Sequence, residues 1–185
     1  MLKNREKIVL AELLVSGRKP DKHIAKARKI SQPTVTRIRQ KLEREKYIES
    51  YHATPAFKKL GLNIIVVTTF TWNDYSKREV VDNAVNDMTS NPKVMFLSRG
   101  NGFSGKTAVM ISMHSDISGY EEFLVGLKSK WGKYMDGVDQ FVSSTENIFK
   151  PFEYQNAVMD VIGIDVKKDK ILSSFNRPKI RAVKK

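Results

Sequence analysis

Apolar residues follow two different rhythms along this chain. Over the first fifty residues they fall at helical spacing. In "NREKIVLAELLVSG", Val9, Leu10, Leu13 and Leu14 share one face, with Asn4 placed to cap the start and Gly17 to end the helix. "KPDKHIAKARK" predicts a second helix of about two turns, opened by Pro20 and the N-cap candidate Asp21, with Ile24 and Ala25 inward. After a tight connection at Ile30, "SQPTVTRIRQKLEREKYI" predicts a third, with Ser31 as cap and Pro33 in the first turn, whose amides need no intrahelical partner. Ile48, Tyr51 and the residues after them have the character of a short extended wing, and Pro55 stops any helix from running on.

From Leu62 onward, strand and helix patterns alternate. "LNIIVVTTFTW" is a β-branched run, and "SKREVVDNAVNDMTSN" has helical periodicity through Val80, Val81, Ala84, Val85 and Met88. "KVMFLSR" is a second short strand, and "TAVMISMH" alternates, with Val109, Ile111 and Met113 on one side. A helix beginning at Ser118, with Ser118 and Glu121 in a capping-box arrangement, runs through Phe123, Leu124, Leu127 and Trp131. Asp136, Gly137 and Val138 lead into a last strand, "DQFVSSTENIFKPF". The order βαββαβ is that of a ferredoxin-like module. The expected fold class is therefore α+β, an N-terminal winged helix-turn-helix followed by a ferredoxin-like domain. The divisions fall at 1–50, a wing and linker at 51–61, the second domain at 62–152, and an extension at 153–185. Within that extension "VMDVIGIDVKKDKILSSF" reads as a strand pair turning at Lys167 to Lys170, and "NRPKIRAVKK" as a basic tail.

Charge sharpens this division. The net formal charge of +13 is carried by the two ends: residues 1–50 hold 14 Lys and Arg against 6 acids, residues 51–154 hold 11 against 11, and residues 155–185 hold 8 against 3. Such asymmetry points to a polyanion, with nucleic acid and acidic membrane surface as the two to weigh. The chain has no cysteine, which excludes disulfides, thiol nucleophiles and zinc clusters built on cysteine. His23, His52 and His114 are too scattered for a ligand set, so no metal and no cofactor are expected. The charged N-terminus does not read as a signal peptide and no segment reaches the roughly 20 apolar residues of a membrane span, so the expected location is the cytoplasm.

Helix three carries the candidate chemistry. Val35, Ile38 and Leu42 occupy one side, while Thr36, Arg37, Gln40 and Arg44 gather on the other with Lys41 at its margin. Arginine and glutamine pair bidentately with guanine and adenine edges, so this face suits the major groove of double-stranded DNA. Ser31, Gln32 and Thr34 at the helix start complete the expected DNA-binding set. A second motif, "GNGFSGKT" at Gly100 to Thr107, satisfies both the phosphate-loop consensus and the dinucleotide fingerprint. A phosphate loop requires a helix after it to receive the phosphate, and here a strand pattern follows. The segment therefore reads as a hairpin-like loop in which Gly100, Gly102 and Gly105 supply positive φ and Asn101 tolerates it.

The run "ISQPTVTRIRQKLEREKYIESYHATPAFKKLGL", followed by βαββαβ with a Gly-rich middle turn and Gly-Val before the last strand, resembles the Lrp/AsnC family of transcriptional regulators and its archaeal feast/famine relatives. The likeness spans about residues 1–152. The chain departs from the family pattern at Ile38-Arg39, where relatives often place the arginine first. The resemblance implies a homo-oligomer that pairs subunits through their sheets, as a dimer and up to a tetramer or octamer. It also implies a small-molecule effector near the central turn, at Arg99, Gly100, Asn101, Gly102, Gly105 and Lys106. Relatives usually carry Gly-x-x-Asp there. "RGNGFSGKT" has no acid and two cations, which points to an anionic effector or to none.

The leading expectation is a sequence-specific DNA-binding transcriptional regulator, not an enzyme. The alternatives are a protein that coats DNA without sequence choice, or a nucleotide-binding enzyme acting through Gly100–Thr107. Asp136 and Asp139 read as turn and surface charges, since nothing pairs them with a nucleophile or base.

Overall fold

In the computed structural model, which describes residues 2–165 together with Lys168, Asp169 and Leu172, the chain forms two units. One is made of residues 1–54 and the segment from Phe149 onward, the other of Pro55–Ile148. The basic tail and the turn at Lys167 and Lys170 lie outside the described residues.

The first unit is built on α1 (Asn4–Val15), α2 (Asp21–Arg28) and α3 (Gln32–Arg44). Their predicted apolar faces meet in one core of Val9, Leu10, Leu13, Ile24, Ala25, Val35, Ile38 and Leu42. The α2–α3 turn is tight because Lys29 adopts a left-handed conformation (φ 54°) and α3 begins three residues later. Two expected caps fall elsewhere. Asn4 is already helical, and the exposed Lys3 amide at the cap position is held by the Glu6 carboxylate at 2.7 Å. Asp21 is the first residue of α2 rather than its cap, and its carboxylate is taken by α3. After α3 no strand forms before Pro55, so the expected wing is not a paired strand; Tyr51 instead donates its hydroxyl to Glu43 of α3 at 2.8 Å.

The extension departs most from expectation. The start of the stretch read as a strand pair, Val158–Val161, instead belongs to α6 (Gln155–Val161), which is followed by Gly163 with φ 75°. Seven residues cannot hold a helix unaided in water, so packing decides the outcome. Met159 is 1% exposed and clusters with Ala11 of α1 and with Leu172, flanked by Leu14, Val15 and Ile164.

The second unit is a four-stranded antiparallel sheet of order β2-β3-β1-β4, from β1 (Ile64–Trp72), β2 (Val94–Arg99), β3 (Ala108–His114) and β4 (Met135–Ser144). Helices α4 (Arg78–Ser90) and α5 (Ile117–Trp131) connect β1 to β2 and β3 to β4. Strand alternation sends Val66, Phe70, Trp72 and Met110 into a core with Ala84, Met88, Tyr120, Phe123 and Leu127 of the helices. This is the expected βαββαβ arrangement, and the fold is α+β. Strand β4 starts earlier than expected and carries a bulge: Thr69 faces Asp139 but Thr71 faces Asp136, the extra residue being accommodated by Gly137 at φ 55°. Helix α5 is capped by Asp116, whose carboxylate accepts from the Gly119 amide at 2.7 Å, and not by Ser118.

Both helices of this unit pack against one side of the sheet. Register aligns Phe96, Ile111, Val67 and Phe141 in one row across all four strands. Phe96 is 45% and Phe141 69% exposed.

Candidate nucleic-acid interface

Helix α3 displays Pro33, Arg37, Gln40 and Arg44 at spacings of four, three and four, which aligns them in one stripe. All four are exposed. Ser31 and Gln32 are exposed at the helix start, and the Ser31 and Thr34 hydroxyls share a hydrogen bond of 2.7 Å.

Two residues expected on this face have other work. Thr36 donates to the Asp21 carboxylate at 2.7 Å, with the Gln32 carbonyl 3.2 Å from the same hydroxyl. Lys41 turns to α1, where its ammonium donates to Glu6 at 2.8 Å. That bond, with the Lys3 amide, holds the Glu6 carboxyl below its ordinary pKa. The pair therefore contributes stability above the usual carboxylate range and loses it as pH falls through the depressed value.

Arg39 is the residue the sequence reading passed over. Its Nε donates to Asp21 at 2.7 Å and its Nη2 to the Lys19 carbonyl at 2.7 Å. Asp21 thus joins the first turn of α2 to two residues of α3, and the Ile38-Arg39 order makes sense. Ile38 enters the core while Arg39 reaches sideways to α2. The spacing of Asp21 and Arg39, 18 residues apart, gave no local signal of the pairing.

The Gly-rich loop lies in the other unit. It holds a short 3-10 turn at Phe103–Gly105 and passes directly into β3, so no helix follows to receive a phosphate. Gly105 takes positive φ (75°), but so does Ser104 (55°), while Gly100, Asn101 and Gly102 do not. A cavity of about 300 Å³ beside it is lined by Arg99, Gly100, Asn101, Gly102, Phe103 and Lys106, with Thr69, Val109 and Asp139 from the sheet. Gly105 is not among the lining residues.

The expected free cations are engaged. Lys106 donates to Asp139 at 2.8 Å and to the Gly137 carbonyl, and the Arg99 guanidinium lies 4.2 Å from the centre of the Tyr75 ring. The acid absent from the loop's own sequence is supplied by β4, where Asp139 offsets one of the two positive charges lining the cavity. Replacing Lys106 by Ala is accordingly expected to leave DNA affinity within a few-fold. Calorimetry should detect no Lys106-dependent ATP binding; tight binding that the substitution abolishes would overturn this reading of the loop.

An AsnC family transcriptional regulator from Agrobacterium tumefaciens matches with a TM-score of 0.70 and 18% identity, covering 77% of this chain and 90% of that one. The fold is that of AsnC-type regulators. Escherichia coli AsnC matches at 0.68 and 14% identity, covering 83% of this chain and 99% of its own. A transcriptional regulator of Neisseria meningitidis, solved as a complex with L-Met, matches at 0.69 and 13% identity, covering 80% and 92%. No family model matches the chain, and no curated protein matches it by sequence. Among the described residues no helix is long and apolar enough to cross a membrane, and no group of acids and histidines is placed to hold a metal ion.

Proposed function

We propose that this protein is a sequence-specific DNA-binding transcriptional regulator of Lrp/AsnC type, acting as a homo-oligomer in the cytoplasm and catalysing no reaction. The observation that carries the proposal is the exposed stripe of Arg37, Gln40 and Arg44 on the second helix of a tight helix-turn-helix, in a chain with the AsnC fold. The archaeal feast/famine assignment is carried by the sequence resemblance alone. By role, the first unit binds DNA and the sheet unit assembles subunits, with the cavity beside Arg99–Lys106 as the effector position. The paired state of Lys106 favours a neutral or zwitterionic effector over an anion there. The Neisseria relative's complex with L-Met is an example of one such ligand.

Enrichment of duplexes from a randomised library tests this reading. A recurring motif bound about a thousandfold or more tighter than scrambled DNA at fixed salt is expected. Recovery of no motif would favour the DNA-coating alternative. On the selected duplex, Arg37→Ala and Gln40→Ala should each cost about 1–3 kcal/mol, with much less effect on scrambled DNA. Arg44→Ala should weaken both alike and lower the slope of log affinity against log salt by roughly one. Unchanged affinity, discrimination and slope in all three would mean that α3 does not enter the groove.

A further inference from the structure

Helix α2 has eight residues and buries only Ile24 and Ala25. A helix this short draws its orientation from its contacts, and here polar clamps hold both ends. At its first turn Asp21 binds Thr36 and Arg39 of α3. At its last turn Arg28 binds Glu12 of α1 and, through Nη1, the carboxylate of Asp169 at 2.6 Å. Burial opposes the charge of Arg28, but Asp169 and Glu12 more than offset this and raise its pKa.

Asp169 lies 141 residues away in sequence. In sequence it lies between Met159 of α6 and Leu172, both of which make apolar contacts with α1. Met159 and Leu172, each 1% exposed, close over Ala11 of α1. The similar regulators are covered over 90–99% of their own length but account for only 77–83% of this chain, so a part of this protein has no counterpart in them.

We propose that the segment carrying Met159, Asp169 and Leu172 is a brace of the helix-turn-helix, with Asp169 as a positioning residue for DNA recognition. Arg28 immediately precedes Lys29, the left-handed residue that opens the turn into α3. Fixing Arg28 from the far side fixes the end of α2, and with it the direction in which α3 leaves the turn. The brace makes no contact with DNA itself. It acts on discrimination, because base contacts demand an orientation that phosphate contacts tolerate losing. The proposal rests on the DNA-binding reading above.

The test uses the full chain with Asp169→Ala, Asp169→Asn and Asp169→Glu, the selected duplex, and a scrambled duplex of equal length. Hydrogen exchange of the amides from Arg28 to Thr36 is followed without DNA. The Ala and Asn variants should lose affinity for the selected duplex on the order of tenfold, with scrambled-duplex affinity and salt slope unchanged, and the α2–α3 turn should exchange faster. Asp169→Glu should restore part of both. Unchanged exchange would overturn the brace, and faster exchange with full discrimination would overturn its role in recognition. A wild-type protein that prefers no duplex would instead refute the DNA-binding reading, and the exchange comparison would then decide by itself whether Asp169 braces α2.

Discussion

Replacing Glu12 by Ala should cost the first unit about 3–5 kcal/mol, a large share of the 5–15 kcal/mol that holds a typical domain folded. Glu12 is 1% exposed in the middle of α1 and accepts from both Lys19 and Arg28. Its own burial is tolerable only because two cations meet it. Removing the carboxylate takes a buried acceptor from both: Lys19 and Arg28 side chains are 17% and 12% exposed and cannot rehydrate fully without opening the unit, although Arg28 keeps Asp169. Glu12→Gln keeps a carbonyl acceptor and should cost clearly less. The measurement separates the two units, since both tryptophans, Trp72 and Trp131, lie in the second. Far-ultraviolet circular dichroism should show an early helical transition in urea, while tryptophan fluorescence unfolds at the wild-type concentration. A single unshifted transition in both signals would show that Glu12 is dispensable.

The elements that could be read from the sequence are those whose partners are fixed by period alone. Val35, Ile38 and Leu42 define an inward stripe whatever they pack against, and the alternation through Val109, Ile111 and Met113 defines a strand face. The C-terminal helix shows the limit. "VMDVIGIDV" has the composition of a strand, and only the presence of Ala11, Leu14 and Val15 on α1 makes burial of Met159 on one helical face the better outcome. No local pattern announces a docking site at the other end of the sequence.

The candidate site divides the same way. Gln32, Arg37, Gln40 and Arg44 are exposed, as their helical phase requires. Thr36 and Lys41 share nearly that phase but are drawn off by Asp21 and Glu6, acids on other helices. Lys106 repeats the case in the sheet unit, where a bulge at Gly137 brings Asp139 to it. Each of these pairings has one physical origin: a polar side chain's partner is chosen by tertiary approach, which neither spacing nor local charge encodes. In the Gly-rich loop the backbone also chose differently, placing Ser104 rather than Gly100 in the left-handed region.

The open sheet face leads to the other large expected effect. Antiparallel sheets that keep one face in water normally make it polar. Here the row Phe96, Ile111, Val67 and Phe141 runs across all four strands, with Ile65, Val109 and Met113 beside it. A second copy of the same face is the natural cover, because two such sheets pack about 10 Å apart with interleaved side chains and two-fold symmetry presents the patch to itself. The wild-type protein should therefore sediment as a dimer or larger at micromolar concentration. Phe141→Lys should shift it toward monomer, weakening association at least about a hundredfold, since symmetry buries two unpaired ammonium groups per interface. The fold should survive, as Phe141 is 69% exposed within the protomer and the core lies on the opposite face. Phe103→Lys is the control: Phe103 is 97% exposed at the loop tip, outside the row, and its replacement should leave the mass unchanged. Loss of the dimer should also cost specific DNA binding more than non-specific binding, because a helix-turn-helix dimer reads two half-sites at a spacing its symmetry sets, whereas one unit reads only one. A monomeric wild type, or a Phe141→Lys protein of undiminished mass, would show that this face does not hold the subunits together.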